Sequence, residues 1–225
     1  MELFFVAVAV AVAFWTFTNA RRRRERAREA WAEFARRHGL ECDAGRGGVM
    51  PTISGRIGGY RVRVDVRRDE SSRSERLWTV YRVQYPSLGL DLGLRREVAL
   101  FHSVAKAFGT QDIESGESAF DRRVLVGGGD EQAVRAFLTP ARRAAVLGFL
   151  TTFDNAEIAD ALARGETRGI EHDPVRLEAR VRTLVGLART LSPPTARTAH
   201  GAREADLDYP HATPRSTRPT QAAQR

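Results

Sequence analysis

Residues 3–20, LFFVAVAVAVAFWTFTNA, carry no charged side chain, and four arginines follow at once. At 1.5 Å per helical residue this run reaches about 27 Å, close to the ~30 Å hydrocarbon core of a bilayer. It predicts a transmembrane helix over residues 1–20. Val and Ala alternate from Val6 to Ala13 as they would in a strand. A lone strand leaves its backbone unsatisfied in lipid, so the reading is a helix. Glu2 is the only charge before the run and no A-x-A site precedes Arg21, which argues against a cleaved signal peptide. The positive-inside rule places Arg21, Arg22, Arg23, Arg24, Arg26 and Arg28 on the cytoplasmic side of the membrane, against anionic headgroups. Trp15 and Phe17 fall near that interface, and Ala7 with Ala11 forms a small-x-x-x-small pair that would admit a homodimer.

The period then changes. Over residues 21–38, Ala27, Trp31, Phe34, Ala35 and His38 make one helical stripe, and Gly39 ends it. This predicts a basic helix docked by its apolar face. Strand signals follow. Residues 49–57 lead into Gly58-Gly59, a two-residue hairpin turn. Tyr60, Val62, Val64 and Val66 alternate with Arg61, Arg63, Asp65 and Arg67. Residues 77–85 and 88–94 read as two further strands, giving a three- or four-stranded antiparallel meander with one wet face.

Further along, residues 97–108 read as a helix and residues 120–126 as a strand ending at Gly127-Gly128-Gly129. Asp130 is an N-cap, and Thr139-Pro140 caps and starts a helix to about Leu150. A hairpin is expected over residues 153–171, turning at Arg164-Gly165. Asp173-Pro174 opens a last helix with the stripe Leu177, Val181, Leu184, Ala188, Leu191. The tail 192–225, rich in Thr, Pro, Ala and Arg, cannot build a core and is expected to be disordered. The fold expected is α+β: a transmembrane helix, a basic juxtamembrane helix over 21–38, and a cytosolic domain over 39–191 with an antiparallel sheet covered on one face by helices.

The formal net charge of +8 suggests nucleic acid until it is divided along the chain. Residues 21–38 hold eight arginines against three glutamates, whereas residues 39–191 hold 23 basic and 21 acidic side chains. The excess is juxtamembrane, so lipid headgroups replace nucleic acid as the expected partner. One lysine against 35 arginines reflects a GC-rich bacterial genome rather than a function. Cys42 stands alone, so no internal disulfide can form.

Candidate chemistry is sparse. The strand–Gly127-Gly128-Gly129–helix junction lacks G-x-G-x-x-G spacing, and Asp130 and Glu131 would repel a phosphate. Asp112, Glu114, Glu117 and Asp121 form an acidic run that does not match an EF-hand, and His102 precedes it. Residues 116–120 miss G-x-S-x-G at the last position, and the five histidines have no zinc-ligand spacing. No catalytic, cofactor or metal residue is assigned. Arg61, Arg63 and Arg67 share a strand face that Arg82 can join, and they are the candidate partner face.

Residues 112–126, DIESGESAFDRRVLV, followed by the Asp130 helix and Leu138-Thr-Pro-Ala-Arg-Arg143, resemble a set of uncharacterised bacterial proteins. Those carry one or two N-terminal spans and a cytosolic α+β domain. The resemblance covers roughly residues 49–191. It implies a shared fold and anchoring and brings no activity or catalytic residue with it. The function expected is a membrane-anchored, non-enzymatic interaction or scaffold protein with a protein partner in the inner membrane. The alternatives are a tethered enzyme with dispersed site residues, or an anionic-lipid sensor.

Overall fold

The computed structural model describes residues 2–45, 50–69, 76–96 and 113–192; before Arg22, only the side chains of Phe5, Phe14, Trp15, Thr18 and Asn19 are described. The helix expected over 97–108, His102, Asp112 and the tail beyond Ser192 lie outside the described residues. Helix α1 (Glu2–His38) is continuous, and its apolar stripe is buried: Ala27, Ala30, Trp31, Phe34 and Ala35 are all under a tenth exposed. Among the described residues, no helix is long and apolar enough to cross a membrane.

Among the described residues, eight antiparallel strands form one sheet: β1 (Glu41–Asp43), β2 (Thr52–Ile57), β3 (Tyr60–Asp69), β4 (Arg76–Gln84), β5 (Gly93–Arg96), β6 (Val124–Gly127), β7 (Asn155–Ala159) and β8 (Leu162–Arg168). Their order is β1-β2-β3-β4-β8-β7-β5-β6. Gly58 and Gly59 both take positive φ, 59° and 89°, as the tight turn between β2 and β3 requires. Register fixes the faces. Val62 lies opposite Val83, and Val64 lies opposite Ile53 and Tyr81, and all five are fully buried. These residues meet the apolar stripes of α1, α4 (Pro140–Thr152) and α5 (Pro174–Leu191) in one core. All five members of the predicted α5 stripe are buried, and Asp173 caps the helix by accepting from Val175 N and Arg176 N. Asp130 and Thr139 cap α3 (Glu131–Phe137) and α4 in the same way.

Several expectations are corrected. The meander is larger: β4 does not pair with β5 but with β8, which arrives from near the end of the chain. The strand expected over 88–94 is confined to β5. Residues 85–92 form a loop because Asp160 draws in the amides of Gly89 and Leu90, at 3.1 and 2.9 Å. Phe120 does not begin a strand. It is the buried residue of the short helix α2 (Ser118–Asp121), and the strand starts at Val124. The late hairpin turns at Asp160-Ala161, and Arg164-Gly165 lies inside β8. Gly165 is there for space: a Cβ on it would come within 2.5 Å of the Phe153 ring.

Candidate interaction face on the open side of the sheet

On β3, β4 and β8 the residues between the core positions point away from the helix layer. Register aligns Arg63 with Arg82, Arg82 with Arg164, Arg164 with Glu157, and Glu157 with Arg95. One transverse row of charge therefore crosses five strands. A two-residue step along the strands brings Asp65, Val80, Glu166 and Asn155 into a second row. Val80 is fully buried although it lies on this outer side.

Each carboxylate of the second row is held by two guanidinium groups. Asp65 accepts from Arg63 at 3.1 Å and from Arg82. Glu166 accepts from Arg67 at 3.1 and 3.3 Å, from Arg164, and from the Asn155 amide at 3.2 Å. Burial by itself would raise the Glu166 carboxyl. The Arg67 hydrogen bonds, the Arg164 charge and Asn155 outweigh it and hold the group below the usual glutamate range. Beside this cluster the face sinks into an open depression of about 510 Å³, lined by Arg67, Arg95, Asn155, Glu157, Arg164 and Glu166 among others.

Of the predicted partner face, Arg63, Arg67 and Arg82 are thus brought together but are already paired with carboxylates. Arg61 sits at the end of the group, opposite Gln84. Sequence reasoning missed Arg164, Glu166, Arg95 and Glu157. The alternation Arg164-Gly-Glu166-Thr-Arg168 carried the signal, but a turn placed on Arg164-Gly165 hid it. In the basic run that follows residue 20, Arg22, Arg23, Arg24 and Arg26 are exposed and Arg28 is half-buried; the Arg21 side chain lies outside the described residues.

The other candidates are occupied structurally. Gly129 N donates to the Leu90 carbonyl at 2.9 Å, and Val134 closes on Gly128, so the glycine run is a packed junction. Glu117 pairs with Arg143 at 2.6 Å, and Asp121 accepts from Ser115 N at 2.9 Å. Among the described residues, no group of three or more His, Cys, Asp or Glu is placed to hold a metal ion. His38 contacts Glu178 at 2.8 Å and lies 4.5 Å from the Phe34 ring, which ties α1 to α5. Burial, and then the Asp43 charge, push the Cys42 thiol up, away from thiolate reactivity.

No protein-family model and no curated protein matches the chain. Among solved structures, it is similar to the crystal structure of the mycobacterial trehalose monomycolate transport factor A, TtfA, at 12% identity and a TM-score of 0.48. The match covers 75% of this chain and 97% of that one. At that distance the likeness says nothing about activity.

Proposed function

We propose that this protein is a non-enzymatic interaction or scaffold protein, held at a bacterial inner membrane by residues 3–20, with its α+β domain on the cytoplasmic side. The observation that carries the reading is the arginine-bearing open face, a surface that the described helices leave uncovered while they fill the other side of the sheet. Its guanidinium groups outnumber its carboxylates, so the partner it suits presents acidic side chains. The anchor is supported by the uncharged run 3–20 and by the exposure of Phe5, Phe14 and Trp15, each about two-thirds exposed on α1. The arginines that follow it support the orientation and attract anionic headgroups.

The test is cross-linking of the full-length protein in native membranes, compared with a variant carrying Arg61→Ser, Arg63→Ser, Asp65→Ser and Arg82→Ser. Removing Asp65 with its partners leaves no orphaned carboxylate. Loss of a reproducible adduct, with membrane retention and melting temperature preserved, supports the open face as the interface. An unchanged set of adducts sinks it.

A further inference from the structure

We infer that the open face has a resident occupant, residues 204–208 of this chain's own tail, seated on Arg56, Arg61, Arg63 and Arg82. This rests on the interface reading above and adds that an outside acidic partner must displace the tail. Register gathers the four arginines. Arg56 lies opposite Arg61 across β2 and β3, Arg61 opposite Gln84, and Arg63 opposite Arg82. Among the described residues, neither Arg56 nor Arg61 is paired with a carboxylate; Arg56 donates to the Gly59 carbonyl at 3.3 Å. Arg63 and Arg82 share one carboxylate, Asp65. Glu41 and Asp43 lie farther out, on the edge strand β1, opposite Ser54 and Thr52. The charge left without a counterion is thus concentrated beside the β2–β3 turn.

The tail supplies the complement. Its three acidic residues, Glu204, Asp206 and Asp208, stand at alternate positions in EADLD, and its arginines lie outside that run. In an extended chain alternate side chains share a face, about 6.6–6.8 Å apart. Arg61 and Arg63 are spaced the same way along β3, so carboxylates and guanidinium groups can fall in step. The starting point is close. A Cβ on Gly58 would stand 3.6 Å from Arg189 Nη2 and 3.7 Å from Val185, so the last turns of α5 lie beside the β2–β3 turn. Arg56 and Arg61 flank that turn on the other side of the sheet. Twelve residues lead from Ser192 to Glu204, with a reach of about 40 Å when extended. The helix layer they must round is about 10–12 Å thick. A connection of this length holds the segment at an effective concentration in the millimolar range, so a contact too weak to capture a free peptide is populated here.

The test uses the full chain with Cys42→Ser in detergent, spin-labelled at Leu207→Cys and at one second position. That position is Ser54→Cys, opposite Arg63 on the open face, or Ala179→Cys, exposed on α5. Labelled chains are diluted in excess unlabelled protein, and pulsed electron spin resonance reads the distances. The expected result is a narrow 54–207 distance, shorter than the 179–207 distance. Its share of the signal should fall several-fold when Glu204→Gln, Asp206→Asn and Asp208→Asn are combined. A 54–207 distance that is broad, or that the three substitutions leave unchanged, overturns the inference. A short distance between singly labelled chains that vanishes on dilution assigns the occupant to a second copy and overturns it as well. No outside partner enters these readouts, so the interface reading stands or falls separately, on the membrane adducts.

Discussion

The indole of Trp31 and the carbonyl of Glu171 meet at 2.7 Å across 140 residues of chain, joining the first helix to the approach of the last. The Glu171 side chain continues the joint. It pairs with Arg180 and accepts from His172 N and Asp173 N, at 3.1 and 3.0 Å. Trp31 is fully buried, so Trp31→Phe keeps most of the packing and orphans the carbonyl, at about 1–3 kcal/mol. Trp31→Ala adds a cavity and costs about 3–5 kcal/mol. Urea unfolding of both variants in detergent checks the order; a Trp31→Phe variant as stable as the wild type would show that the hydrogen bond contributes nothing.

Glu166 predicts a pH dependence. Its folded carboxyl lies below the ordinary value of 4.5, so its ionised form stabilises the fold fully above that pH. That contribution is lost as pH falls through the lower folded value. Glu166→Gln lacks it and should cost about 1–3 kcal/mol near neutrality. The gap between wild type and variant should shrink steadily from pH 6 toward pH 3. A gap that does not change with pH would contradict the pairing with Arg67 and Arg164.

Gly165→Ala should destabilise although alanine is small. The added methyl would stand 2.5 Å from the Phe153 ring, itself packed on Tyr81 and Phe149 with centroids 5.3 and 5.1 Å away. Overpacking of this kind costs about 1–3 kcal/mol. The double variant Gly165→Ala with Phe153→Leu should recover part of the loss in a thermal melt, since a smaller side chain yields the space.

Asp160 organises the loop between β4 and β5. It accepts from Ser87 Oγ and from the amides of Gly89 and Leu90. Burial would raise its carboxyl, and these bonds hold it low instead. Asp160→Ala should speed hydrogen exchange at the Gly89 and Leu90 amides and cost roughly 1–2 kcal/mol. Unaltered exchange at both amides would place the control of the loop elsewhere.

Local chemistry was readable wherever it acts over three or four residues. Asp130, Thr139 and Asp173 were recognised as caps, Gly58-Gly59 as a tight turn, and the α5 stripe as core, because each depends on its immediate neighbours. What escaped depends on residues far away in the chain. Residues 88–94 alternate like a strand, yet Asp160 diverts most of them into a loop. Arg164-Gly165 resembles a turn, but its glycine is required by the Phe153 ring rather than by the backbone. The open face shows the same limit: Arg61, Arg63, Arg67 and Arg82 were legible from two adjacent strands. Arg164 and Glu166 join them only because β8 crosses to pair with β4.

The pairing of α1 with α5 also sets an order of events during synthesis. Helix α1 is complete once residue 38 has been made, but the surface that buries Trp31 awaits residues 171–191. At about 5–20 residues per second, roughly 8–30 s separate the two. Throughout that interval Trp31 lacks the Glu171 carbonyl and α1 lacks α5, while β4 has no β8 to pair with. The domain cannot finish folding from its N-terminal end inward. It closes in one late step, when the last helix emerges and finds the first one waiting.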